Sequence, residues 1–315
     1  MKKSIALLLA GLSFALPAAA YAEAVELTGD VSIKYERDKA DGEPDQSGMI
    51  YSLKLMGEAD LGSGWSLYAR LGAQGLSRPW LEDFNRDYYG TDDKTVIALD
   101  QFGVIFKDKN LTYKLGRQDT TVGTMALLYC RDDAKIGQKA FVDGLSVTGT
   151  VGNTEVAAIL AREDNPAGQP ENKLYAVRAG FNPEENFNWG LTLGHYHSDD
   201  STNHWAVDGT YKLAKHTVTG QYAQSSSDVA DKAYVVNWNY DANAETAFFL
   251  SNFQVEAKGD MGGQSDFDND NRGWYYGLTH KFRADTDLEI VYKDQREISS
   301  GTKNTKWEAT LTYSF

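Results

Sequence analysis

The chain has 315 residues and a formal net charge of −14 at pH 7. An acidic surface repels phosphate groups, which excludes nucleic acid as an expected partner. The single cysteine, Cys130, excludes an internal disulfide bond. A mean hydropathy of −0.48 excludes a helical membrane protein. It is compatible with a membrane protein made of strands, in which only every second side chain faces lipid.

The first 22 residues have the three parts of a bacterial secretion signal. Lys2 and Lys3 are positively charged, residues 5–16 are apolar, and Ala20-Tyr21-Ala22 supplies the small residues of a cleavage site. The apolar stretch is shorter than the about 20 residues that a transmembrane helix needs. We therefore expect residues 1–22 to be a signal peptide and residues 23–315 to form one exported domain.

Behind this signal, sixteen segments alternate apolar and polar residues with the period of two that is typical of β-strands. They are residues 24–36, 48–60, 64–74, 95–107, 110–119, 139–151, 153–162, 173–182, 185–197, 203–213, 215–224, 232–242, 245–256, 272–283, 286–296 and 304–315. No stretch between them has a convincing helical period. The sequence therefore predicts an all-β protein with sixteen strands.

The connections between these segments alternate between short and long. Short connections such as 152–153 and 214–215 alternate along the chain with longer polar loops such as 75–94 and 120–140. This alternation is expected of a transmembrane, antiparallel, up-and-down β-barrel with short periplasmic turns, long external loops and both termini in the periplasm. A closed barrel also leaves no unpaired strand edge in lipid.

The last segment has the two faces that such a barrel needs. Trp307, Leu311 and Tyr313 alternate with Lys306 and Glu308, so one face suits lipid and the other suits water. Aromatic residues also gather near segment ends, as they do in interfacial girdles. The alternative is that these residues form the core of a soluble β-sandwich, for which sixteen strands would be unusually many.

In two of its motifs, the chain resembles the general diffusion porins of Gram-negative bacteria. Residues 310–315 end on Phe315, like the signal that the outer-membrane assembly machinery recognises, and Gly116-Arg117-Gln118 resembles a stretch of the fifth porin strand. The resemblance implies an outer-membrane channel for small hydrophilic solutes and ions. It also implies a homotrimer in contact with lipid and lipopolysaccharide, and a third long loop, 120–140, that folds into the lumen.

Inward-facing charges define the expected pore constriction. Alternation within the segments places five cationic side chains on the inner face: Lys34, Lys54, Arg70, Lys114 and Arg178. Asp132 and Asp133 of the third loop would face this basic wall and create a transverse field; the alternative is that both lie in a solvated turn. Arg117 is included too, although alternation points it toward lipid and only a bulge or a position at the strand end would bring it to the loop.

Three other readings of the chain stay open at this stage. His195, His197 and His204, near one end of neighbouring segments, suit an outer-membrane barrel hydrolase or adventitious metal binding. A channel specific for saccharides or organic acids would show a ladder of aromatic or basic side chains, whereas the tyrosines here are scattered. Residues 266–271 begin like a calcium loop but lack its glycine and glutamate. We nevertheless expect no metal, no cofactor and no enzymatic activity, because alternation puts His195 and His197 on the lipid side, a poor place for a catalytic base.

Overall fold

The computed structural model describes residues 25–78, 81, 95–132, 136–137, 141–165 and 171–315. The expected signal peptide and Asp133 lie outside the described residues. Within these ranges the chain forms eighteen strands: β1 Val25–Ala40, β2 Gln46–Gly62, β3 Trp65–Leu76, β4 Thr95–Asp108, β5 Leu111–Gln118, β6 Thr120–Val122, β7 Tyr129–Arg131, β8 Val142–Val151, β9 Thr154–Glu163, β10 Lys173–Glu184, β11 Phe187–His197, β12 Thr202–Leu213, β13 His216–Ser225, β14 Lys232–Asp241, β15 Thr246–Val255, β16 Asn271–Arg283, β17 Thr286–Glu297 and β18 Lys303–Ser314.

Sixteen of these strands close into one antiparallel barrel. Each barrel strand pairs with the next along the chain, and β5 pairs with β8 because β6 and β7 form a separate two-stranded sheet. The seam joins β1 to β18, where Gly29 and Phe315 exchange two backbone hydrogen bonds of 2.9 Å. The predicted sixteen-stranded, up-and-down barrel is confirmed.

The two faces of the wall follow from the alternation of side chains along each strand. On β12, Trp205 and Val207 are 40% and 41% exposed, whereas Ala206 and Asp208 between them are buried. Exposed apolar side chains of this kind recur around the barrel and form its outer surface. The side chains between them point to the interior, which is where the charged residues converge.

Tight turns join strands at one end of the barrel. Between β2 and β3, Ser63 and Gly64 have φ angles of 54° and 83°. Two successive residues in this left-handed region are characteristic of the turn that matches the twist of paired strands. No helix among the described residues is long and apolar enough to cross a membrane.

The connection that contains β6 and β7 contacts the inner face of the wall. Thr124 Oγ1 donates a hydrogen bond of 2.6 Å to Asp208 on β12, and the backbone N–H of Met125 donates one of 2.9 Å to Gln221 on β13. Leu128, between β6 and β7, is fully buried in the same hydrophobic cluster as inward-facing residues of β12 to β15. This connection is thus fixed by both polar and apolar contacts.

A second loop, residues 256–270 between β15 and β16, is bonded to the same connection. The N–H of Met261 donates to the carbonyl of Leu128 at 2.8 Å, and the N–H of Cys130 donates to the carbonyl of Gln264 at 2.5 Å. Met261 is itself fully buried in the shared hydrophobic cluster. The two loops therefore form one packed unit, which no local pattern in the sequence predicted.

Candidate functional site

A polar cavity of about 1450 Å³ lies inside the barrel. Part of its lining comes from β1, β2, β17 and β18, and another part from the two loops that pack together. Charged and amide side chains dominate this lining, with few apolar residues such as Phe249 and Val291 between them. A cavity of this composition accepts water and hydrophilic solutes rather than apolar ligands.

Lysines and glutamates alternate along one stretch of the cavity wall. Lys34 contacts Glu308 at 2.5 Å and Glu36 at 3.0 Å; Lys293 contacts Glu308 at 3.0 Å, and Lys306 contacts Glu36 at 3.1 Å. Glu36 and Glu308 are direct cross-strand partners, an arrangement that repulsion between like charges disfavours. Lys34 bridges the two carboxylates, and Lys293 and Lys306 each pair with one of them, which offsets that repulsion.

Lys54 lies on the same cavity wall. Its ammonium is 3.1 Å from the carboxylate of Asp30, its direct cross-strand partner on β1. Both side chains are partly exposed and line the cavity. The expected basic wall is therefore a mixed wall, in which lysines alternate with acids.

Arg70 is not at the surface of this cavity. The register of β3 and β4 shifts directly after Arg70 and inserts Asp100, so that Asp100 and Gln101 both turn inward. Asp100 then accepts two hydrogen bonds of 2.9 Å from the Arg70 guanidinium and one of 3.1 Å from the N–H of Gly137. Phe141 covers the guanidinium at 4.8 Å, so the pair is buried beneath the third loop.

Lys114 and Arg178 are also inward, each with its own acid. Lys114 contacts Asp119 at 2.9 Å and lies over the ring of Tyr68. Arg178 contacts Asp208 at 2.6 and 3.1 Å, and Asp208 also accepts the hydrogen bond from the third loop described above. Arg178 therefore belongs to the attachment of that loop, and neither residue lines the 1450 Å³ cavity.

Arg117 lies on the outer face, so its inclusion among the pore residues was wrong. It pairs across the ladder with Phe102, which is 43% exposed, and its guanidinium lies 5.5 Å from that ring. It binds Asp143 and Asp164, each at 2.9 Å. Strict alternation along β5 had indicated this side, and no bulge reverses it.

Asp132, on the third loop, lines the cavity. Asp133 lies outside the described residues. Nearby, Glu163 at the end of β9 is only 4% exposed and accepts hydrogen bonds from Tyr129 at 3.1 Å and Tyr196 at 2.9 Å. Glu163 also contacts Arg131 at 3.1 Å, so one buried carboxylate joins the β6–β7 hairpin to the wall.

The three histidines singled out from the sequence do not converge. His195 is on the outer face, where its Nδ1 is 2.8 Å from Asn203, and His197 bonds Ser201. His204 pairs with Gly194 and is buried on the inner side, bonded to Thr202. An imidazole on the opposite side of the wall cannot share a substrate with the other two.

Asp260 gives the loop 256–270 an expected dependence on pH. It is 3% exposed and accepts hydrogen bonds from the N–H groups of Gly263 and Ser265 and from Asn269. Burial disfavours the charged form and raises the pKa of Asp260 to about 6. Because the folded pKa lies above the ordinary value, the protonated carboxyl stabilises the folded loop. This stabilisation of the loop is complete below about pH 4 and is lost as pH rises through about 6.

We therefore expect amides of residues 256–270 to exchange more slowly with deuterium at pH 5 than at pH 7.5, after correction for intrinsic rates. Only the interval from pH 5 to the folded pKa of about 6 contributes to this comparison, so the expected difference in the free energy of opening is about 1.4 kcal/mol. Asp260→Asn should remove this pH dependence, whereas Asp228→Asn, in an exposed loop, should preserve it. Persistence of the dependence in Asp260→Asn would assign it to another group.

Two cavity lysines, Lys293 and Lys306, were absent from the expected constriction. The signal for them was available, because Glu289, Val291 and Lys293 alternate on β17 in the same way as the residues of β1. The sequence has no comparable signal for the loop 256–270, because the place of this loop in the cavity depends on contacts with a loop far away in sequence.

The comparisons with known proteins agree with this geometry. A family model described as Gram-negative porin matches residues 6–298. A triple mutant of Rhodopseudomonas blastica porin is 13% identical, with a TM-score of 0.61 over 93% of this chain and 100% of that chain. Another engineered mutant of that porin is 12% identical, with a TM-score of 0.62 and the same coverage. No curated protein matches the chain. At these identities the likeness of the solved structures concerns the fold.

Proposed function

This chain belongs to the Gram-negative porins and forms an outer-membrane diffusion channel, and from that premise we propose that small hydrophilic solutes and ions pass along the mixed wall of lysines and acids. The observation that carries the proposal is the polar cavity inside the barrel, with Lys34, Lys54, Lys293 and Lys306 in its lining. Fixed charges of both signs favour dipolar solutes over apolar ones.

We propose that the third loop folds into the lumen and narrows it. The contacts of Thr124 and Met125 with inward-facing Asp208 and Gln221 support this placement. Asp132, on the same loop, lines the cavity together with Lys34 and Lys54. Arg70, Arg178 and Lys114 then act on solutes indirectly, because ion pairs occupy them and hold the loop and wall in place.

The first test is single-channel recording of residues 23–315 in planar bilayers, with a salt gradient to measure ion selectivity. Ohmic steps from the folded protein would support a permanently open pore. Well-folded barrels that conduct no ions would reject the proposal.

Lys54→Glu should move the selectivity toward cations. In water, a unit charge interacts with an ion about 8 Å away by about 0.5 kcal/mol. Reversal of the charge therefore changes the energy of a nearby cation by about 1 kcal/mol, which is about fivefold in the local cation concentration. Salt reduces this effect, since the screening length is about 10 Å at 0.1 M. The measurement is the reversal potential under a potassium chloride gradient.

Lys109→Glu is the matched control, because the same charge change lies in the exposed turn between β4 and β5. It should leave the selectivity close to that of the original protein. Equal shifts in the two variants would show that overall charge, rather than the cavity wall, sets the selectivity.

We further propose the arrangement of the protein in its membrane. The family and the barrel place it in the outer membrane. A cleaved signal at residues 1–22, both mature termini in the periplasm and recognition of Phe315 by the assembly machinery fit the sequence patterns. A homotrimer whose external loops meet lipopolysaccharide fits the family, and the family argues against enzymatic activity. Chemical cross-linking of the membrane-embedded protein tests the trimer.

A further inference from the structure

Three metal-ligating side chains converge where the two packed loops meet. Cys130 is on β7, Asp132 follows it by two residues, and Asp266 comes from the loop 256–270. One ligand atom from each residue lies within 4.8 Å of the other two, and Cys130 Sγ is 3.9 Å from Asp266 Oδ1. All three residues line the 1450 Å³ cavity, so an ion in the channel reaches them.

The spacing is close to that of ligands on one metal ion. Sulfur and oxygen atoms bound to the same tetrahedral zinc are about 3.6 Å apart, given bonds of about 2.3 and 2.1 Å. Side-chain rotations that move atoms by about 1 Å close the remaining gap. Asp266 is exposed and Asp132 half-buried, so both have room for such movement.

The donor set selects a class of cation. A thiolate is a soft ligand that favours zinc and softer ions over calcium and magnesium, while the two carboxylates add negative charge. Arg131, which lies between Cys130 and Asp132 in sequence, contacts Glu163 at 3.1 Å. The thiol proton leaves to solvent when the sulfur binds the metal, so the metal–sulfur bond replaces the S–H bond.

We propose that Cys130, Asp132 and Asp266 form a binding site for a soft divalent cation such as Zn²⁺ or Cd²⁺ inside the channel. The bound ion joins the third loop to the loop 256–270 and places positive charge in the path of solutes. This inference goes beyond diffusion through the channel, because binding is measurable on folded barrels whether or not they conduct.

The test is a titration of the folded protein, residues 23–315 in detergent, with Cd²⁺ alone. The readout is the ultraviolet sulfur-to-metal charge-transfer band. We expect saturation at one Cd²⁺ ion per chain. Asp266→Asn should weaken the affinity for Cd²⁺ by about tenfold or more, because even residues that only support metal ligands typically change the affinity by about 10- to 100-fold. Cys130→Ser should remove the band and weaken binding by a similar factor in calorimetry.

Asp268→Asn is the matched control, since Asp268 lines the same cavity but bonds Gln295 instead of joining the cluster. It should bind Cd²⁺ as the original protein does. Equal loss in Asp268→Asn and Asp266→Asn, competition by equimolar Ca²⁺, or unchanged affinity in Cys130→Ser would each overturn the proposal. Because Asp266 is exposed, its substitution keeps the test decisive if Cys130→Ser fails to fold.

Discussion

Glu163→Ala should release the third loop and raise the single-channel conductance. Glu163 is buried and holds Arg131, Tyr129 and Tyr196 at one point. Burial raises the pKa of Tyr129 well above its usual value, so this phenol remains a hydrogen-bond donor to Glu163. Loss of one partner of a buried ion pair costs about 3 to 5 kcal/mol. Most of that loss should fall on the β6–β7 hairpin, because the backbone ladder of β9 stays intact.

The measurement is conductance in planar bilayers together with deuterium exchange of residues 120–132. Glu163→Gln should be intermediate, because it keeps an acceptor for the tyrosines but loses the charge that binds Arg131. Glu171→Ala is the control, since Glu171 is largely exposed and its contact with Arg162 is 3.4 Å. Wild-type conductance and exchange in Glu163→Ala would show that this carboxylate does not hold the loop.

Asp100→Ala should destabilise the barrel by about 3 to 5 kcal/mol, because it leaves a guanidinium buried without its carboxylate. The side chains of Arg70 and Asp100 are 3% and 1% exposed, and Phe141 covers the arginine. The substitution also removes the acceptor for the N–H of Gly137. Urea unfolding of the protein in lipid vesicles, followed by tryptophan fluorescence, measures the change.

Two variants separate the buried pair from a general effect of charge. Asp108→Ala, at the exposed end of the same strand, should change the stability by less than about 0.5 kcal/mol. The double variant Arg70→Met plus Asp100→Leu should recover much of the loss, because apolar residues of similar size replace a buried pair with little net change. A double variant less stable than Asp100→Ala would contradict this account.

The barrel was predictable because its signal is local and repeated. A period of two marks each strand, and the alternation of loop lengths arranges the strands into an up-and-down barrel. The same alternation placed Lys34 and Lys54 on the inner face and assigned Arg117 to the outer face. An inward Arg117 required a bulge or a strand-end position that would bring it to the third loop, and the pairing of β5 with β4 and β8 has no bulge.

The candidate site was predictable only in part, because its remaining residues depend on breaks in the local pattern. Asp100 becomes the partner of Arg70 through a bulge, and no residue type in β4 announces one. Asp266 reaches the cavity through backbone bonds between two distant loops. Both effects depend on tertiary contacts, which the period of a strand does not encode.

The seam between β1 and β18 fixes the order in which the molecule is completed. Because β18 pairs with β1, one edge of β1 stays unpaired until β18 has formed and paired with it. Contacts between segments so far apart in sequence form slowly, and an open edge is a template for pairing with other chains. The interval before closure is therefore the period of greatest aggregation risk, and a chaperone that shields the edge of β1 would protect the chain better than one that binds finished hairpins.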